Sequence, residues 1–246
     1  EWIDNKIIKK YNFVTWKEAV KKLHDPEIED SYNEKNFFRR RLAFDELFAH
    51  QLAIFIIRTI NNKKNSVPFK NNNKLKSNLI KKLEFKLTNS QLIVLKEIQN
   101  DLESNKQMIR LLQGDVGSGK TIVALISMLT VIESGYQATL MAPTSILAYQ
   151  HYENISKLIK HLDINIGILT GKDKGKNRIE KLDKIKNGNT QIIIGTHALI
   201  QEGVNFKKLG LSVIDEQHRF GVYQRMAFNY KGFRPSILVM SATPIP

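Results

Sequence analysis

The sequence predicts an α/β fold, a parallel β-sheet flanked by helices and preceded by an α-helical region. Three observations predict it. The stretch Gly114-Asp115-Val116-Gly117-Ser118-Gly119-Lys120-Thr121 fits a phosphate-cradling loop, with a short apolar run before it and a long apolar run after it. From Leu87 onward, short apolar runs alternate with helical stretches, the pattern of right-handed βαβ units. Residues 1–86 differ: they contain no glycine and read as helical.

In the first region, Thr15 can cap a helix over Trp16–Leu23, with Glu18 completing a capping box and Asp25-Pro26 stopping it. A second helix is expected from about Glu34 to Asn61. Phe38, Leu42, Phe48, Leu52, Phe55 and Ile56 recur on it at helical spacing, which predicts a wide buried stripe. Arg39-Arg40-Arg41 on that helix suits either nucleic acid or a solvated, acid-paired face. The Asn- and Lys-rich segment Asn61–Lys76 reads as a loop or flexible link, with a short helix near Leu79–Leu83. These readings set a domain boundary near Lys82–Lys86, with 1–86 a helical linker region and 87–246 the α/β lobe.

Within the lobe, Thr88 can cap a helix over Asn89–Glu103, with Gln91 at its third position and Leu92, Leu95, Ile98 and Leu102 on one face. Met108–Gln113 reads as a strand. The phosphate loop follows, then an apolar helix stopped at Gly135. Further strands are expected at Ala138–Ala142, Asn165–Leu169, Gln191–Ile194, Leu211–Ile214 and Ile237–Met240. Helices are expected from Thr144 or Ser145 to Lys160 and over Lys176–Lys186.

The net charge of +14 is spread over the chain: residues 1–86 carry +8 (19 basic, 11 acidic) and residues 87–246 carry +6 (19 basic, 13 acidic). A polyanionic partner is the natural reading. A Lys/Asn/Ile-rich composition is the bland one. The absence of cysteine excludes disulfides and thiolate metal sites and suits a reducing compartment. No apolar stretch is long enough to span a bilayer and no leader opens the chain, so a cytoplasmic protein with no membrane partner is expected.

The chemistry begins at the loop. Gly114, Gly117 and Gly119 let the backbone curl so that N–H groups, including that of Ser118, converge on phosphate oxygens at a helix N-terminus. Lys120 supplies a point charge for the terminal phosphates of ATP, and the Thr121 hydroxyl suits Mg²⁺. Asp215-Glu216 follows an apolar strand, so its carboxylates lie at a carboxyl edge where ligands bind in open α/β sheets. Asp215 would hold Mg²⁺ through water, and Glu216 would orient the attacking water. The pair also suits a helix cap, but the phosphate loop in the same chain favours catalysis. Ser241-Ala242-Thr243 ends the last strand and reads locally as an ordinary exit. Pro143-Thr144, Thr170-Gly171 and Gly195-Thr196 each follow a strand and suit phosphate-backbone contacts, with the basic run Lys172–Lys186 beside them. A solvated helix face is the default for that run. A small-molecule kinase is disfavoured by these loops and by the charge.

Together, Leu87-Thr88-Asn89-Ser90-Gln91, the phosphate loop, Ala142-Pro143-Thr144-Ser145-Ile146-Leu147-Ala148, Gly195-Thr196-His197-Ala198-Leu199-Ile200, Asp215-Glu216-Gln217-His218-Arg219-Phe220-Gly221-Val222 and Ala242-Thr243-Pro244-Ile245-Pro246 stand in the order of a superfamily-two helicase motor. The set resembles most closely the RecG family, bacterial ATP-dependent helicases of stalled forks and branched recombination intermediates. Glu1-Trp2, Tyr11, Ala19-Val20 and residues 39–47 resemble the helical linker that precedes the motor in that family.

The resemblance implies a RecA-like P-loop NTPase lobe with ATP and Mg²⁺ as cofactors and forked or branched DNA as partner. It implies that Gln91 reads adenine, with Phe85 nearby, that Gln217, His218, Ser241 and Thr243 couple the nucleotide to DNA, and that Thr144 and Thr196 lie on the DNA track. Ser90, Glu84 and Ser241 depart from the residues usual in the family. The second motor lobe and its arginine fingers do not fit in this length, so the expectation is a monomeric piece of a larger motor that binds nucleotide and DNA with little turnover of its own.

Overall fold

The computed structural model describes residues 2–25, 37–62, 66–70, 72–216 and 235–242. They form two compact units, residues 1–62 and 63–246.

The first unit holds α1 (Asn5–Tyr11), α2 (Trp16–His24) and α3 (Phe37–Asn62). Asp4 caps α1 by accepting from Lys6 N at 2.8 Å. Thr15 caps α2 by accepting from Glu18 N at 3.3 Å, as its position in the sequence predicts. Residues 34–36 of the expected second helix lie outside the described residues.

The burial on α3 differs from the expected stripe. Phe48, Leu52, Phe55 and Ile56 are exposed, whereas Arg41 is fully buried. Arg41 Nε donates to Asp45 Oδ2 at 3.0 Å, Nη1 donates to Val14 O at 3.0 Å, and the guanidinium lies over the Phe13 ring. A buried cation persists when it is paired and hydrogen-bonded, and removing Asp45 would cost on the order of 3–5 kcal/mol. Arg41 is therefore a core residue rather than a nucleic-acid contact, and neighbouring Arg39 and Arg40 are the exposed members of the trio.

The second unit is built on a six-stranded sheet of order β1-β6-β5-β2-β4-β3. Its strands are β1 (Ile109–Gln113), β2 (Gln137–Met141), β3 (Ile166–Leu169), β4 (Ile192–Gly195), β5 (Leu209–Asp215) and β6 (Ser236–Ser241). Every neighbouring pair is parallel. All their carboxyl ends therefore share one edge. The helices are α4 (Lys74–Lys82), α5 (Asn89–Glu103), α6 (Lys120–Glu133), α7 (Ser145–Ile159) and α8 (Gly175–Lys186), with the 3₁₀ turn η1 at His197–Ile200. The sequence reading places each of these strands and long helices within a few residues and misses η1.

α6 is apolar on all faces, and Ile122–Ile132 is buried throughout, which makes it the central helix of the core. Each of its buried Leu or Ile side chains is worth ~1.5–3 kcal/mol relative to exposure. On α5, Leu95, Ile98 and Leu102 are buried as expected, but Leu92 is exposed. Arg110 on edge strand β1 holds α5 in place through Glu97 (2.5 Å) and Asp101 (2.8 Å). Burial alone would lower its pKa, but the two carboxylates hold it above the ordinary value.

The structural division falls between Asn62 and Lys63, earlier than the boundary read near Lys82–Lys86. The described part of the Asn/Lys-rich segment is fastened to the lobe. Ser66 N donates to Asn105 O at 2.8 Å and Phe69 N to Leu102 O at 2.9 Å. Phe69 packs edge-on against Tyr136 at 5.1 Å, and both Phe69 and the α4 residue Leu79 are buried in the lobe's core. Phe69 is a single buried anchor in that segment and makes no periodic signal, so a polar composition hides it.

The basic stretch Lys172–Lys186 carries a buried acid. Asp173 accepts from Thr170 N at 2.7 Å and from Lys181 Nζ at 2.6 Å. Burial pushes its carboxyl up, but Lys181 and the Thr170 donors outweigh this and hold it below the usual carboxylate range. A depressed carboxylate contributes stability that is complete above its unfolded pKa and fades as pH falls through the folded one. Asp173→Asn should therefore destabilise the chain by ~1–3 kcal/mol at neutral pH. The loss should shrink below the unfolded pKa, near pH ~3.9. Thermal unfolding across pH checks it: an equal loss at every pH would dismiss the charge as the cause.

Candidate functional site

The strand order brings three motif ends together. β6 lies between β1 and β5, with Gln113 opposite Ser241 and Met240 opposite Asp215. The phosphate loop leaves β1, the Ser-Ala-Thr segment ends β6 and the Asp-Glu pair ends β5, all at one edge.

The loop's shape comes from its glycines. Gly117 and Gly119 have φ of 80° and 83°, where a Cβ would be strained. A side chain at Gly119 would also collide with the Gln91 amide. Ser118 N donates to Asp115 O at 3.1 Å, and Gly114 N donates to Ser241 O at 3.3 Å, tying the loop to β6. Gly119 is the N-cap of α6, and Lys120 is its first residue. Lys120 Nζ donates to Gly114 O at 2.5 Å and Asp115 O at 2.8 Å, so the ammonium lies against the loop it is expected to serve. Thr121, half-buried, follows at the second position of α6.

A cavity of about 440 Å³ opens beside the loop, lined by Thr88, Gln91, Val94, Gly114, Ser118 and Lys120 among others. That volume lies in the range of small-ligand sites. Gln91 stands at its wall with both ends of its amide engaged. Oε1 accepts from Thr88 N at 2.9 Å and Nε2 donates to Ser118 O at 2.9 Å, while Gln91 N donates to Thr88 Oγ1 at 3.2 Å. The capping box therefore fixes a side chain that touches the phosphate loop. Phe85 lines a different cavity, with Lys157 and His161.

Asp215 ends β5 and is 13% exposed. Its Oδ2 is 2.8 Å from Nε2 of His151, on α7. Glu216 has φ of 53°, a left-handed conformation uncommon for a side chain of this type, and its N–H donates to Met240 O at 3.0 Å. Ser241 is buried at the end of β6. Gln217, His218 and Thr243 lie outside the described residues.

The two residues expected on a DNA track differ in placement. Thr144 is exposed and caps α7, its hydroxyl accepting from Leu147 N at 3.3 Å. Thr196 is 3% exposed and caps η1, accepting from Ala198 N at 3.5 Å. Its side chain is committed inward, and it is the following His197 that faces solvent. The sequence signal, a hydroxyl residue after a strand, does not separate a cap from a surface contact.

His151 is the residue of this site that the sequence does not announce. It lies 64 positions from Asp215, on a helix face with no motif of its own. Among the described residues no cluster of three or more His, Cys, Asp or Glu side chains could hold a metal. Thr121 and Asp215 are hard oxygen donors, which suits Mg²⁺, an ion that keeps several waters and takes phosphate oxygens rather than a full protein cage. Among the described residues no helix is long and apolar enough to cross a membrane.

Comparison with known proteins adds the lineage. Over its whole length the chain is 44% identical to the ATP-dependent DNA helicase RecG of Aquifex aeolicus and 47% identical to that of Thermotoga maritima. It spans about a third of those relatives, 32% and 31%. A solved structure of RecG bound to a three-way DNA junction matches all of the chain and 33% of its own length, with a TM-score of 0.80 and 43% identity. Residues 88–246 match the DEAD/DEAH box helicases. The parallel sheet with a phosphate loop on β1 and Asp-Glu on β5, together with that match, makes the chain a member of the DEAD/DEAH box helicase family.

Proposed function

We propose that this chain is the helical linker and first motor lobe of an ATP-dependent helicase or translocase that acts on branched DNA, in the repair and recombination of stalled forks. The observation that carries the reading is the adjacency of β1, β6 and β5, which sets the phosphate loop, Ser241 and Asp215-Glu216 side by side. The choice of branched DNA is supported by the whole-length likeness to RecG, one structure of which holds a three-way junction, and by the charge of +14.

In this reading the loop amides of Gly114–Gly119 and the α6 N-terminus bind the triphosphate, and Lys120 swings from its carbonyl partners to the terminal phosphates. Gln91, already bonded to Ser118 O, reads the adenine edge and reports its presence to the loop. Thr121 and Asp215 would hold Mg²⁺, which when bound neutralises charge on the phosphates. Glu216 orients the attacking water and accepts its proton. Ser241, whose carbonyl already takes the Gly114 N–H, carries the nucleotide state into β6, with Gln217, His218 and Thr243 completing the coupling. Thr144 meets the DNA backbone directly, and Thr196 serves it by shaping η1.

The chain spans about a third of its relatives, so the isolated chain is proposed to bind nucleotide and DNA while turning over slowly. The test is ATP hydrolysis with and without a forked duplex, beside binding of a fluorescent ATP analogue. Binding with weak, poorly stimulated hydrolysis is expected. Hydrolysis at the level of an intact motor would refute the incomplete-site reading, and absence of any nucleotide binding would refute the site itself.

A further inference from the structure

His151 belongs to no motif that the nucleotide site needs, yet it holds one of that site's carboxylates. The register explains how it gets there. Met141, the last residue of β2, pairs with Ile214 on β5. The chain leaves β2, turns at Pro143-Thr144, and winds into α7 with Thr144 as its cap. Residue 151, two turns along, then comes over the end of the neighbouring strand β5, where Asp215 stands. Nε2 and Oδ2 meet at 2.8 Å, with both side chains 13% exposed.

The chemistry of the contact fixes its polarity. An ionised carboxylate only accepts, so Nε2 carries the hydrogen and donates. That occupies Oδ2, while Oδ1 makes no hydrogen bond to the described residues. On the other side of Asp215, the backbone of Glu216 is fastened to β6 through Met240 O at 3.0 Å. Asp215 is thus held by its side chain from the β2–α7 side and through its neighbour's backbone from the β6 side. A carboxylate tied at one oxygen costs less entropy to engage a hydrated cation than a freely rotating one.

We infer that His151 is a positioning residue for Asp215: it sets the carboxylate that meets hydrated Mg²⁺ beside the nucleotide. Because it sits on the helix capped by Thr144, it also ties that carboxylate to the Pro143-Thr144 turn. The inference rests on the nucleotide-site reading above.

The test reads metal dependence rather than turnover. A fluorescent ATP analogue is bound to the 246-residue chain over a Mg²⁺ titration and, separately, in excess EDTA. For His151→Leu, which keeps bulk and loses the donor, the Mg²⁺ concentration at half-effect should rise about 10- to 100-fold. Binding in EDTA should stay unchanged. His151→Gln, whose amide can donate from about the same point, should recover most of the loss. In an Asp215→Asn background, His151→Leu should add little, because the two act through one contact.

Mg²⁺ dependence within twofold of the unsubstituted chain for His151→Leu would overturn the inference while leaving the nucleotide site standing. So would a Gln variant no better than Leu, or full additivity with Asp215→Asn. An unsubstituted chain that binds no analogue in either condition would overturn both readings.

Discussion

Lys120→Ala in the intact protein is expected to lose DNA-stimulated ATP hydrolysis by on the order of 10³-fold or more, the scale on which cationic contacts act in phosphoryl transfer. The geometry gives the reason. Lys120 is the first residue of α6, directly after the left-handed Gly119, so its side chain is launched back over the loop. Its ammonium already lies within 2.8 Å of two loop carbonyls. A triphosphate cradled by the same loop would meet that charge once the ammonium leaves those carbonyls. Fold stability should change little, since the apolar body of α6 begins only at Ile122. The measurement is steady-state hydrolysis with forked DNA, beside a thermal unfolding control. Turnover within tenfold of the unsubstituted protein, in a folded variant, would remove Lys120 from the site.

Glu216→Gln is expected to separate binding from chemistry. Gln has nearly the same shape and keeps the backbone N–H that bonds Met240 O. It meets the same cost in the left-handed region, where Glu216 sits at φ of 53°. What it loses is the ability to accept a proton. Nucleotide affinity should stay within a few-fold, while hydrolysis should fall by ~10²–10⁴-fold. Equilibrium binding and single-turnover hydrolysis, measured on one preparation, distinguish the two effects. Normal hydrolysis by the Gln variant would show that another group handles the water. Parallel loss of binding would point to a collapsed loop instead.

Much of the lobe is legible in the sequence because it is written locally. A parallel sheet buried on both faces needs continuous apolar runs, and each short run read as a strand in 87–246 became one, while the long run after the phosphate loop became α6. Thr88 with Gln91 spells out a capping box, and the structure shows both of its hydrogen bonds. The glycines of the phosphate loop mark positions of positive φ. The helical region was less legible. Periodicity on α3 pointed to a stripe of Phe, Leu and Ile, but the described core of that unit buries Arg41 and Asp45. A buried salt bridge has no hydrophobic signature. Phe69 likewise escaped, as a single anchor in a polar segment.

The sequence by itself determined the class of fold, the loop that can hold a triphosphate and the carboxylates that could serve it, because φ preferences, capping and apolar runs are short-range properties. Only the tertiary structure decided which of these meet. Strand order put Ser241 between Gln113 and Asp215, bonded the phosphate loop to β6, turned Thr196 inward and brought His151 to Asp215 from 64 residues away. Those are consequences of how strands are ordered in a sheet and how a helix returns across it, and no window of sequence contains both partners.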